Sequence, residues 1–530
     1  MKELREEYIL FLEKGVKVSK TRTQYALLNS AVGFISQFIR IILSFINRTI
    51  FIQFLGVTYL GINGLFTSIL SILSLAELGM TTAIAYSLYK PLADSNYSKV
   101  FAYLDLFKNI YRIIALIVFI LGVVVSLFLP FFMNEIDVTS QIILIYYLFL
   151  INSVISYLFT YKRTLLDADQ KRYINVSVDF AVFVVGSFLQ IWILFTTKNY
   201  ILYLILAIVM TVVSNLVTSI VVNKIYKNAI PHSYDSLEEH EKQQFFKSVK
   251  GTLISKISET VVFGTDNLLM STFISIVTVG LYSNYALLTT TLQRLIGQLV
   301  ASLSGTVGHL VHSDTDKEKS FAVLKRLQFV VFMIVYLVSI GIIIFINIFI
   351  QIWIGQDYLL SNTVVLLISI SFFLTNYRIP YLTFINSYGL FWEQRIKNVV
   401  EALLNIVLSL LFLINFQLGI SGILLGTICS SLLTVVWFEP YTVLKYGLKI
   451  NPFKGYRRIL EHYLIAGVTL GFLYVYSAIV SIKFSITNQI MSGLVIYMGL
   501  ILLFFIHYRK QSEFQYIITI IKRLITKINK

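Results

Sequence analysis

Lysine and arginine avoid every second gap between the apolar runs of this chain. A membrane crossing takes roughly 20 apolar residues, because the hydrocarbon core is about 30 Å thick and a helix rises about 1.5 Å per residue. Fourteen runs qualify: 28–52, 62–89, 110–133, 140–161, 175–197, 200–223, 251–275, 278–306, 327–353, 362–386, 396–415, 419–439, 459–481 and 486–508. Basic residues gather in the N-terminal arm (Lys2, Arg5, Lys14, Lys17, Lys20, Arg22) and after the second run (Lys90, Lys99, Lys108, Arg112). They gather again after the fourth (Lys162, Arg163, Lys171, Arg172), the sixth (Lys224, Lys227, Lys242, Lys247, Lys250) and the eighth (Lys317, Lys319, Lys325, Arg326). Further groups follow the tenth (Arg395, Lys397), the twelfth (Lys445, Lys449, Lys454, Arg457, Arg458) and the last. The other gaps hold only Lys198 and Lys483. Basic loops stay on the cytoplasmic side, so the pattern predicts a multi-pass membrane protein with both termini in the cytoplasm. A miscounted run would scramble the alternation.

The composition agrees. Hydrophobic residues make up 57% and charged residues 13% of the 530 positions, whereas a soluble domain is closer to a quarter charged. The net charge of +16 reads as the basic coat of a membrane face, attractive to anionic lipid headgroups. No nucleic-acid partner is expected. A single cysteine, Cys429, excludes an intrachain disulfide. The highly charged first 20 residues and the long first run predict an uncleaved N-terminus.

The expected class is an all-α integral membrane protein of 14 transmembrane helices: two six-helix lobes in a parallel pseudo-twofold repeat, plus two C-terminal helices. The longest connection, 224–250, is polar and carries Pro231. It divides the first lobe (28–223) from the second (251–440), with a cytoplasmic arm at 1–27, helices 13 and 14 within 441–508 and a basic tail at 509–530. A duplication supports this division. Lys99-Val-Phe101-Ala102-Tyr-Leu104 recurs as Lys319-Ser-Phe321-Ala322-Val-Leu324, Val57-Thr58-Tyr-Leu-Gly61 as Val277-Thr278-Val-Gly280, and Asp169-Gln170-Lys171 as Glu393-Gln394-Arg395. Six spans per half return the chain to the same side, so the halves are related by an axis along the membrane normal, with a path between them. The tail alternates apolar and basic positions at helical spacing, as an amphipathic helix on the inner leaflet does.

The charges inside the runs are Arg40, Arg48, Glu77, Asp179, Lys256, Glu259, Asp266, Arg294, Arg378 and Glu401. A mid-membrane charge costs at least about 2.5–3.5 kcal/mol on insertion scales, so it faces protein, water or substrate. Two readings stand. In one, these groups form interhelical pairs such as Arg40–Glu259 or Arg294–Glu77. In the other, the basic ones, in runs one, seven, eight and ten and so in both halves, line a path for an anionic headgroup. The tyrosines at run ends read as an interfacial belt, and Pro380 predicts a kink beside Arg378. No phosphate-binding G-x-x-x-x-G-K-[ST] loop or H-E-x-x-H motif occurs. No outside loop is long enough for the acid–base pair of a membrane glycosyl enzyme. The chain is read as a transporter rather than an enzyme, without a cofactor, driven by an ion gradient, the membrane potential or its substrate's own gradient.

Three stretches carry a family resemblance: NRTIFIQFLGVTYLGINGLFTSILSILSLAELGMTTAIAYSLYKPLAD (47–94), YKRTLLDADQKRYINV (161–176) and SYGLFWEQRIKNVVEALLNIVLSLL (387–411). They resemble bacterial polysaccharide flippases of the Wzx type, in the superfamily that also holds the MATE drug exporters and the lipid II flippase. The resemblance implies alternating access and a substrate of oligosaccharide repeat units on undecaprenyl diphosphate, flipped to the outer leaflet of the cell membrane for capsule or exopolysaccharide. It implies a polysaccharide polymerase and glycosyltransferases as partners. By position, it implies that Arg40, Arg48, Lys256, Arg294 and Arg378 hold the diphosphate, and that Glu77, Glu259 and Asp266 are candidates for coupling to protons or sodium. The alternative is a MATE-like ion-coupled exporter of drugs or cations, for which an acidic and aromatic cavity is expected.

Overall fold

In lipid every backbone N–H and C=O must be satisfied within its own segment, and an apolar run meets that demand as a helix. In the computed structural model the described residues are 22–74, 80–133, 136–227, 237–313, 317–483 and 485–519, and they are helical almost throughout, with no strand among them. The first half comprises α1 (Arg22–Leu73), α2 (Met80–Ala93), α3 (Tyr97–Ser126), a short α4 (Leu129–Phe132), α5 (Ser140–Tyr157), α6 (Thr160–Ala168), α7 (Arg172–Thr197) and α8 (Tyr200–Ile225). The second comprises α9 (Glu239–Phe273), α10 (Ile276–Ser313), α11 (Lys317–Ile354), α12 (Asn362–Tyr377), α13 (Ile379–Tyr388), α14 (Phe391–Leu410) and α15 (Ile420–Thr442). They are followed by α16 (Tyr456–Lys483), α17 (Ile486–Tyr508) and a helix at 512–519, α18. Eleven helices among the described residues are long and apolar enough to cross a membrane. One of these, Val32–Leu73, takes in the first expected run and part of the second. The figure of fourteen rests on the charge alternation.

Local sequence explains the joints. The expected gap after the first run is itself helical, and α1 is broken only at Gly56, with φ 80° and ψ 179°. A Cβ there meets nothing within 4 Å, so Gly56 is required for its backbone conformation, not for space. The span containing α12 and α13 breaks at Arg378, and Pro380 stands in the first turn of α13, where its missing N–H costs nothing. The corresponding break in the first half, between α5 and α6, falls at Leu158–Phe159 without a proline. The two-residue connection before α8 is closed by Asn199, whose side chain accepts from the N–H groups of Ile201 and Leu202. A Glu238–Glu241 capping box starts α9 inside the stretch expected to be a linker.

There are two main hydrophobic cores. One gathers Phe66, Phe107, Tyr111 and Tyr146 of the first half. The other gathers Phe329, Phe332, Tyr377 and Phe384 of the second, together with Leu470, Phe504, Tyr508 and Phe514. The last two long helices therefore pack on the second core. The tail is docked as well: Glu513 pairs with Arg458 at 2.5 Å, Phe514 is buried, and Arg326 sits 4.1 Å over the Tyr516 ring.

Candidate functional site

The two halves meet along α1 and α10. At Gly61 a Cβ would lie 2.0 Å from the Ile276 carbonyl oxygen, and at Gly280 one would lie 2.4 Å from that of Val57. Each contact is the image of the other at an offset of 219, with Val57 matching Ile276 and Gly61 matching Gly280, at the repeated segments. Reciprocal contact of this kind is the signature of a twofold relation. Further along the seam Arg48 Nη1 donates to Ser283 Oγ at 3.2 Å, Trp353 Nε1 donates to Thr49 Oγ1 at 2.7 Å, and Gly33 lies against Gln298. The partners of Gly33, Arg48 and Gly61 run backward along α10, so the two helices are antiparallel.

This register locates two more arginines. Arg40 falls opposite about residue 291 of α10, within one turn of Arg294. Seven residues from Gly33 place Arg40 about 20° from that contact, and eleven from Ser283 place Arg294 about 20° from the other. Both thus lie on the facing sides of α1 and α10. Arg40 is half-buried with its guanidinium 4.9 Å from the Phe183 ring centroid of α7. Arg294 is exposed. Neither has an ion pair among the described residues.

Arg378 is placed differently, inside the second half. Its Nε donates to Glu439 Oε2 at 3.1 Å, and its Nη2 bonds the other oxygen of that carboxylate. Its Nη1 lies 3.6 Å from Glu401. Lys397 Nζ reaches Glu401 at 3.0 Å and Glu439 at 2.9 Å. Two cations and two carboxylates form a closed, balanced group, buried at Lys397, Glu401 and Glu439.

The first half carries a smaller counterpart. Arg163, on α6, donates through Nη1 to both oxygens of Asp179 on α7, each at 2.8 Å. Its Nη2 donates to Ser214 at 2.9 Å and its Nε to Asn215 at 3.1 Å, both on α8. Asp179 also accepts from Ser214 Oγ at 2.7 Å.

Of the coupling candidates, Asp266 is buried on α9 and its Oδ1 lacks a hydrogen-bond partner. One turn later Met270 packs with Leu413 and Ile423, which puts Asp266 at the level of Ser409 on α14 and Thr427 on α15. Thr427 Oγ1 accepts from Asn405 Nδ2 at 2.9 Å, and Asn405 Oδ1 is unpartnered. Glu77 lies outside the described residues. Lys256 and Glu259 lie on α9, outside the residues whose side chains are described.

No family model and no curated protein matches the chain. Solved structures do. The lipid II flippase MurJ, in an inward closed conformation, aligns with TM-score 0.58 at 18% identity over 91% of this chain and 99% of that one. An inward-facing multidrug resistance MATE family transporter of the MOP superfamily aligns with TM-score 0.53 at 13% identity, over 84% and 98%. A MOP superfamily transporter from Pyrococcus furiosus, described by the reverse polarity of its binding pocket, aligns with TM-score 0.51 at 14% identity, over 86% and 97%.

The chain shares the fold of these structures.

Within this fold, Arg40, Arg48 and Arg294 lie on the two helices of one seam and Arg378 does not. Four charged residues with structural partners are not marked by the apolar runs. Arg163 and Lys397 fall among the loop charges, Glu439 stands at a run end, and Lys162, which bonds Ser219 at 2.5 Å and Asn223 at 3.1 Å, stands beside Arg163. The one signal in sequence was that Lys397 precedes Glu401 by four residues, the spacing of a helical ion pair.

Proposed function

We propose that this protein carries an oligosaccharide linked to undecaprenyl diphosphate from the inner to the outer leaflet of a bacterial cell membrane by alternating access. The observation that carries the reading is the seam itself. Register puts Arg40 and Arg294 on the facing sides of α1 and α10, among the described residues neither has a carboxylate partner, and Arg48 bonds a serine hydroxyl. A cation inside a membrane calls for an anion. A diphosphate fits, because guanidinium groups bind phosphate oxygens in pairs. A sugar chain has too many hydroxyls to cross hydrocarbon unaided, each costing kilocalories to desolvate. The polyprenyl tail stays in lipid. Arg378 drops from the set, since Glu439 and Glu401 already engage it. Of the coupling candidates Asp266 is the one with a described side chain: a buried carboxylate with an oxygen unbonded among the described residues, level with the Ser409 and Thr427 hydroxyls, suits a proton or a small alkali cation. Both termini face the cytoplasm, where glycosyltransferases build the substrate, and a polymerase takes it up outside.

The test is reconstitution of the full chain in vesicles loaded with a fluorescent oligosaccharide on undecaprenyl diphosphate. Protein-dependent exposure of the sugar to an added lectin is expected, with loss in the double variant Arg40→Gln/Arg294→Gln. Equal exposure with and without protein, alongside efflux of cationic dyes, replaces the reading with a drug exporter.

A further inference from the structure

Arg40 is the seam arginine with a carboxylate nearby that does not hold it. Phe183, over which it lies, and Asp179 are four residues apart on α7 and share a face, and among the described residues Asp179 is an acidic group whose charge acts on Arg40. Asp179 is the natural counterion for Arg40, yet both its oxygens are taken by Arg163 Nη1. Arg163 is fixed in that role. Its remaining guanidinium nitrogens bond Ser214 and Asn215, and its backbone carbonyl accepts from Asn175 Nδ2 at 2.9 Å. The pair is not sealed away: the Asp179 side chain is 38% exposed and that of Arg163 21%.

We infer that Arg163 is a positioning residue for the anion site: by neutralising Asp179 it keeps the charge of Arg40 available to a diphosphate. The inference rests on the proposed function, in which Arg40 is a headgroup contact. Arg163 acts through Asp179 and does not touch the ligand. Without it, Asp179 captures Arg40, and the seam offers the ligand an internally paired arginine. A guanidinium satisfied in that way gives up an existing charge-assisted bond for each one it makes.

The experiment uses the full chain in nanodiscs, with undecaprenyl diphosphate as the probe and undecaprenol as the uncharged control. Arg40→Gln is expected to weaken probe binding about tenfold or more, the size of one lost bond to a charged group. Arg163→Gln is expected to weaken it to a similar extent. Adding Asp179→Asn to Arg163→Gln is expected to restore affinity to within about threefold of wild type. That recovery must require Arg40: in the Arg40→Gln background, adding both changes leaves affinity where Arg40→Gln alone put it. A purely structural role for Arg163 predicts recovery of folding whether or not Arg40 is present, so the unfolding temperature of every variant is recorded with its affinity. Wild-type affinity in Arg163→Gln overturns the inference. So does weak binding by a well-folded Arg163→Gln/Asp179→Asn chain, which makes Arg163 a contact in its own right. Wild-type binding by Arg40→Gln overturns the headgroup assignment beneath it as well.

Discussion

The two halves keep a charge cluster at the same joint and treat it in opposite ways. In both, an arginine stands at or just after the break in the fourth span of the half, Arg163 after Leu158–Phe159 and Arg378 between α12 and α13. In both it meets a carboxylate on the next helix, Asp179 or Glu401, which correspond at an offset of 222. At that offset Asn175 of the first half corresponds to Lys397 of the second. Asn175 is neutral and ties Arg163 to Asp167, whereas Lys397 brings a charge that Glu439 answers. The second half has thus closed its cluster into a buried, balanced four. The first half has kept a single, partly exposed pair beside the seam. A closed group fixes how three helices pack and has nothing left for a ligand, while an open pair can govern a neighbour. Similar sequence positions therefore serve shape in one half and availability of charge in the other.

Glu439→Gln strikes this contrast hardest. It leaves the buried Lys397 and the largely buried Arg378 to share one carboxylate, and removing one partner from a buried ionic group costs about 3–5 kcal/mol. Thermal unfolding in detergent is expected to fall accordingly, and an unchanged midpoint would put the second cluster in contact with water. Next come Gly61→Ala and Gly280→Ala. Each drives a methyl into a carbonyl of the other half, an overpacking of about 1–3 kcal/mol. The two losses should match, because the contacts are mutual images, and unequal losses in the same unfolding assay would break the twofold relation. Gly297→Ala on α10 meets nothing within 4 Å and is the control, with a gain of up to about 1 kcal/mol from helix propensity. Asp179→Asn is expected to cost least, about 1 kcal/mol or less, as befits a partly exposed pair. A loss as large as that of Glu439→Gln would make the two clusters equivalent.

Much of the architecture was legible because it follows from solvent. Long apolar runs have to be helices in lipid, and the repeat showed itself in short echoes such as Val57–Gly61 and Val277–Gly280. The continuity of α1 through residues 53–61 was not legible, since one glycine in an otherwise helix-compatible gap does not reveal whether it ends a helix or bends one. The ion pairing of Arg378 was not legible for a different reason. Its main partner, Glu439, is 61 residues away and stood at a run end, and such pairing is decided by tertiary packing that no periodicity records. Arg163 was hidden in the same way, because the α5–α6 break that carries it into the protein has no proline to announce it. Arg40, Arg48 and Arg294 stand out in the sequence as charges inside apolar runs.

The C-terminal helix at 512–519 has a practical consequence. Phe514 and the Glu513–Arg458 pair bolt it to the second hydrophobic core, so a fluorophore carried on its exposed side travels with that half. A second dye near Asp94, at the end of α2, travels with the first half. Energy transfer between the two gives a ruler for any movement of one half against the other that leaves every seam residue untouched.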